Sequence, residues 1–130
     1  MLDTDICVEL IRKQPAKLVK RLVQLSVGDV VVSAITVSEL QYGVQKSRNP
    51  ERNLEALEQF LLPLVIVEYD YAATATYGQI RAYLEKNGTP IGSMDLLIAA
   101  HALALEVILV TNNVREVSRV PNLAVEDWLS

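Results

Sequence analysis

Asp3, Glu39, Asp95 and Glu116 are acids that each stand where an apolar segment meets a turn or a helix. Asp3 closes an apolar start, and Glu39 opens a helix after the Val30-Val31-Val32 run. Asp95 opens another helix, and Glu116 follows the apolar run that ends at Val110. Carboxylates gathered at one point repel, and each raises the pKa of the others. A divalent cation removes that penalty, so the pattern predicts a magnesium or manganese site. Such a site requires that the elements carrying the acids end at one edge of one sheet.

Those elements can be read from apolar patterning. Leu2 to Thr4 predicts the end of a short strand, and Ile6 to Lys13 a helix. Pro15 suits the first turn of a second helix running to Leu25. Val30-Val31-Val32, bounded by Gly28-Asp29, predicts a buried strand, and a helix follows over Thr36 to Gln45. Asn49-Pro50 is an N-cap with proline at the first helical position. Leu54, Leu57, Phe60 and Leu61 form the stripe of that helix, and Pro63 ends it. Val65-Ile66-Val67 is the next strand, and Asp70 caps a long Ala-rich helix through Lys86, stopped by Asn87-Gly88. Ser93 caps a helix over Met94 to Leu105, Val107 to Val110 is a strand, and a last short strand falls near Ala124-Val125. No internal repeat or linker interrupts the series, so residues 1–130 read as one domain. The alternation predicts an α/β fold with a short parallel sheet of about four to five strands and helices on both faces. In such sheets the site lies at the carboxyl ends of the strands, where Thr111, Asn112 and Asn113 also fall.

Each residue has a plainer explanation to beat. Asp5 or Asp3 could cap the first helix, Asp5 being the stronger candidate. Thr36-Val37-Ser38-Glu39 matches a capping box. A helix dipole stabilises an acid at Asp95, but Ser93 already supplies a cap, and Ile91, Met94, Leu96, Leu97 and Ile98 surround the charge with apolar neighbours. Turn chemistry explains Asn112 and Asn113 equally well, and Glu116 in the following loop could be a solvated acid. His101 points elsewhere on its helix from Asp95 and reads as packed or hydrogen-bonded. Lys13, Lys17, Lys20 and Arg21 share one helical face, solvated by default and phosphate-steering on the sharper reading. Tyr71, Tyr77 and Tyr83 read as packing or interface residues, and Gly78 with Ala72, Ala73, Ala75 and Ala82 would let a second helix approach.

Composition narrows the classes. Of 130 residues, 51% are hydrophobic, which leaves no room for extended disorder. No apolar run reaches the roughly 18 residues of a membrane helix, and no secretory signal is visible, so a cytoplasmic protein is expected. Cys7 is the only cysteine, which excludes an internal disulfide, and with His101 the only histidine the usual zinc ligand sets are missing. A net charge of −4 argues against a passive nucleic-acid coat protein and leaves a nuclease open. Residues 1–60 hold eight Lys/Arg and eight Asp/Glu, while residues 61–130 hold four and eight, so basic charge concentrates in the first half.

Four segments together carry a family resemblance: MLDTDIC at 1–7, SAITVSELQYGVQKS at 33–47, YGQIRAYLEKNGTPIGSMDLLIAAHA at 77–102 and LVTNNVREVSRVPNLAVEDW at 109–128. In order and spacing they resemble PIN-domain ribonucleases, specifically the VapC-type toxins of bacterial and archaeal toxin–antitoxin modules. The resemblance implies a PIN-like three-layer sandwich and a metal-dependent endoribonuclease that cuts RNA, tRNA among its substrates, with metal-activated water. It implies that Asp3, Glu39 and Asp95 bind magnesium or manganese, and that Glu116 is the fourth catalytic acid with Asn113 as its polar partner. Asp5, Thr111, Asn112, Arg81 and Arg115 are then the residues expected around metal and substrate. Asp5 stands where the close subgroup has asparagine, and Val117 where phenylalanine is common. The resemblance also implies a homodimer and a cognate VapB-type antitoxin whose C-terminal segment covers the site.

Two readings compete. Asp3-Thr4-Asp5 resembles the strand-end Asp-x-Asp of haloacid-dehalogenase-like phosphatases, although Cys7 stands where a threonine or serine is expected and no later Lys or Asp-Asp pair follows. A non-catalytic interaction module would use the acids only as caps.

Overall fold

Short β-branched runs leave few residues to form ladders, and the sheet is correspondingly sparse. The computed structural model describes residues 1–26 and 28–130. Its strands are β1 (Val31–Ser33), β2 (Val65–Val67), β3 (Leu109–Val110) and β4 (Val125–Glu126). β1 pairs with β2 and β3 with β4, both in parallel. Leu2 bridges Val32 on one side and Val110 on the other. The single sheet of about four to five strands expected for this class is therefore seen as two two-stranded pairs joined through one residue. The N-terminal strand shrinks to that bridge because Asp3 already turns the chain into a helix.

The helices are α1 (Thr4–Arg12), α2 (Ala16–Val23), α3 (Ala34–Gln45), α4 (Pro50–Leu61), α5 (Tyr71–Lys86), α6 (Ser93–Leu105) and α7 (Val114–Val117). Asn49 caps α4 and Asp70 caps α5 through their side chains, as their positions predict. Ser93 does not cap α6: it is the first helical residue, and Gly92 occupies the N-cap with no side chain to offer. β3 is shorter than Val107–Val110 because the Val107 N–H still bonds back to Ala102 of α6 at 3.1 Å. Lys13 ends α1 rather than lying on α2, so the expected basic face is split between two elements. Among the described residues no helix is long and apolar enough to cross a membrane.

Strand alternation divides the core. Leu2, Val32 and Val110 join Ile6, Leu10, Leu18, Leu40, Val44 and Leu57 in one buried cluster. Met1 and Leu109 join Ile80, Leu84, Leu96, Ile98 and Ala99 in another. Successive strand residues point to opposite faces, so α1 to α4 pack on one cluster and α5 to α7 on the other. The C-terminal ends of the strands lie between them, and there the acids gather.

Candidate active site

Asp3 is placed by the sheet. Its N–H donates to the Val110 carbonyl at 3.0 Å, and the Leu2 N–H donates to the Val31 carbonyl at 3.0 Å, which fixes the chain between β1 and β3. Asp3 also caps α1: its Oδ1 accepts the Ile6 N–H at 2.9 Å. This corrects the expectation that Asp5 is the better capping candidate, because the helix begins at Thr4, two residues before the expected Ile6. Asp3 is only 4% exposed. Burial raises its pKa to about 6, with the Thr111 hydroxyl and the Ile6 amide opposing and Asp5 and Asp95 adding to the rise.

Asp95 sits in the first turn of α6, half-buried. Its pKa is raised, first by desolvation and then by the charges of Glu116, Asp5 and Glu39, while a bond from Asn113 pulls the other way. The Asn113 amide donates to Asp95 Oδ2 and Glu116 Oε2, both at 3.1 Å. Glu116 is not in a loop but on α7, a one-turn helix that starts after the Asn113 N–H folds back onto Thr111 Oγ at 2.9 Å. Its Oε1 accepts the Gly92 N–H at 2.6 Å, filling the capping role that Gly92 cannot fill itself. That bond and the one from Asn113 hold its pKa low.

Glu39 is not a capping-box residue. Ser33 is the N-cap of α3 and Thr36 is buried inside the helix, so Glu39 lies in the second turn and accepts from the Thr4 hydroxyl at 2.6 Å. Thr4 also reaches the Thr36 hydroxyl at 3.3 Å. Asp5 is exposed, yet near enough to raise the pKa of both Asp3 and Asp95.

Asp3, Asp5, Glu39, Asp95, Glu116, Thr111 and Asn113 thus form one neighbourhood. Arg81, Arg115 and Asn112 do not join it: among the described residues none makes a hydrogen bond or ion pair with the acids. Arg81 is instead held on α5 by the Tyr77 hydroxyl at 3.0 Å and Glu85 at 3.5 Å. Sequence reasoning missed Gly92 and Thr4. Gly92 carried a signal only through its place, since the residue just before an acid-bearing helix presents a backbone N–H without an intrahelical partner; Thr4 carried none beyond its place between Asp3 and Asp5.

The donor set fits a hard cation. Every polar side chain here offers oxygen; Cys7 lies near Asp3, but burial pushes its pKa up and keeps it a neutral thiol, and His101 is bonded to Ser33. No Lys or Arg forms an ion pair with Asp3, Glu39, Asp95 or Glu116 among the described residues. Two acids with raised pKa and no cationic partner are the electrostatic signature of a site that gains from a positive ion. Also among the described residues, no three His, Cys, Asp or Glu side chains close into a cage around an ion. A loose set of this kind suits magnesium, which keeps several waters and binds through one or two carboxylates.

Comparison with known proteins adds the lineage. The PIN domain family matches residues 1–123. The chain is 45% identical over 128 residues to the tRNA(fMet)-specific endonuclease VapC of Shigella flexneri, covering 98% of this chain and 96% of that protein. Two solved structures are similar along nearly their whole length. One is VapBC2 from Rickettsia felis bound to a DNA fragment from its promoter, with TM-score 0.93 and 42% identity over 98% of this chain and 97% of that one. The other is DNA-bound VapBC from Salmonella typhimurium, with TM-score 0.94 and 43% identity over 98% and 96%.

Proposed function

This chain belongs to the PIN-domain family, among its VapC ribonucleases, and from that premise we propose that it is the toxin of a toxin–antitoxin pair, a magnesium- or manganese-dependent endoribonuclease. Membership replaces both the phosphatase and the interaction-module readings. The observation that carries the metal-dependent part is the pairing of Asp3 and Asp95, 92 positions apart in the chain, as acids of raised pKa that have no ion-pair partner among the described residues.

On this reading Asp3, Glu39 and Asp95 would hold the ion between them, directly or through its waters, and Glu116 completes the catalytic set. The ion, when bound, would polarise water and stabilise charge on the scissile phosphate. Asp3 is oriented by the Ile6 amide and Thr111, and Glu39 by Thr4. Asn113 and the Gly92 amide keep Glu116 ionised and aimed beside Asp95, so that it adds fixed negative charge to the set. Asp5 adds negative charge that strengthens cation binding at the rim. Arg81 and Arg115, both exposed, are left to contact RNA farther along the strand.

The substrate class proposed is tRNA, supported by the activity that the Shigella flexneri relative is named for. The partner proposed is a VapB-type antitoxin. An apolar groove of about 170 Å³ between α1, α3 and α4, lined by Ile11, Leu40, Val44 and Leu57 with Glu39 in its wall, suits a covering antitoxin segment. We further take residues 1–130 as a single domain, the two strand pairs and Leu2 as one sheet in a three-layer sandwich, the assembly as a homodimer through α5, and the location as cytoplasmic.

The test is cleavage of total tRNA by purified protein with magnesium, with ends mapped, for wild type and Asp95→Asn. Wild type is expected to cut at few sites, and folded Asp95→Asn to lose at least about 100-fold in rate. Equal cleavage by the two would sink the proposal.

A further inference from the structure

Ser33 and His101 stand 68 residues apart and both are fully buried. Ser33 Oγ lies 2.7 Å from His101 Nδ1, and whichever of the two carries the proton, one hydrogen bond joins them. The same oxygen accepts the Ile35 N–H at 3.1 Å, so Ser33 caps α3 while gripping α6. The Tyr69 ring packs edge-on against the imidazole, with centroids 5.2 Å apart at 76°. Among the described residues the Tyr69 hydroxyl is buried without a hydrogen-bond partner, and His101 Nε2 has none of good geometry, the Glu68 backbone lying near enough to the ring to oppose the lowering of its pKa by burial.

If packing were the only role, an apolar side chain would fill this place without the cost of burying a polar ring. What the imidazole adds, besides its approach to the Glu68 backbone, is the short bond to Ser33. α3 carries Glu39 and α6 carries Asp95. Among the described residues this is the one side-chain hydrogen bond that ties the capping residue of α3 to α6. Resting on the active-site reading above, we propose that His101 is a positioning residue: through Ser33 it locks the start of α3 against α6 and so sets Glu39 relative to Asp95. It touches neither substrate nor ion. A shift of about 1 Å between the two helices would misplace the carboxylates enough to cost up to about 100-fold in rate.

The test combines hydrogen exchange in the metal-free protein, thermal unfolding and cleavage kinetics, applied to His101→Leu, His101→Asn, Ser33→Ala and the double variant of His101→Leu with Ser33→Ala. Folded His101→Leu is expected to lose amide protection in the first turns of α3. Its kcat should fall about tenfold, with KM for RNA within about twofold of wild type. His101→Asn, whose amide reaches toward the Nδ1 position, should recover most of both losses, which a loss of packing alone would not allow. The double variant should be no worse than the worse single variant. Full protection with wild-type kcat in His101→Leu overturns the proposal, as do losses that Asn fails to recover or that add in the double variant. If His101→Leu does not fold, His101→Gln, too long to keep the Ser33 bond in place, carries the same comparison with His101→Asn. A wild-type protein that cuts no RNA would sink the nuclease reading alone, because the exchange pattern without metal still decides the clamp.

Discussion

Asp3 caps α1 and faces the acid cluster with the same carboxylate. Its pKa stands at about 6 in the fold against 3.8 when solvated. The folded state therefore holds the proton more tightly than the unfolded state. Asp3's contribution to stability is fully present below 3.8 and is lost as pH rises through about 6. Two pKa units bound the effect at about 3 kcal/mol. Asp3→Asn keeps a capping oxygen for Ile6 and stays neutral. Denaturant unfolding without metal should show Asp3→Asn gaining on wild type between pH 4 and pH 7, approaching about 3 kcal/mol. A difference that ignores pH would contradict the assigned burial. Added magnesium should then stabilise wild type and not Asp3→Asn, because binding to the folded state alone raises stability by mass action.

At the scale of elements, α6 determines how closely the two cores approach the site. Ala99, Ala100 and Ala102 are fully buried, so their small side chains let neighbouring elements pack close to the helix backbone. Ala99→Leu should overpack that contact and cost about 1–3 kcal/mol in unfolding free energy; an unchanged unfolding midpoint would refute the packing. Much of this scale was legible in the chain. Val65–Val67 and the Asp70-capped α5 carry strong local signals and fold where those signals place them. The failures are physical too. Leu2 joins the sheet as its apolar start predicts, but only through single bridges, and Thr4 of the same expected strand end lies in α1. α7 is one turn long, below the length at which apolar spacing speaks. The Thr36–Glu39 pattern looked like a capping box because the motif is local, whereas Ser33 had already taken the N-cap.

Across the whole molecule the charge is −4, yet Lys17 and Lys20 on α2 are exposed. Arg21 beside them is engaged by Glu126 at 3.0 Å and by the Trp128 ring at 4.9 Å, so it anchors the C-terminal segment rather than joining a free patch. If Lys17 and Lys20 steer RNA, Lys17→Glu with Lys20→Glu should raise KM several-fold and flatten its salt dependence while kcat holds. A KM unchanged at low salt would remove them from the substrate path. Segment order, residue type and spacing by themselves determined the α/β alternation and the family, and they singled out Asp3, Glu39, Asp95 and Glu116 as acids needing a reason. Only the tertiary structure decided what each acid touches: Asp3 on the Ile6 amide, Glu39 on Thr4, Glu116 on Gly92 and Asn113. Patterning records which face of an element is apolar, but hydrogen-bond partners and pKa depend on burial and on groups that the chain brings together from distant positions.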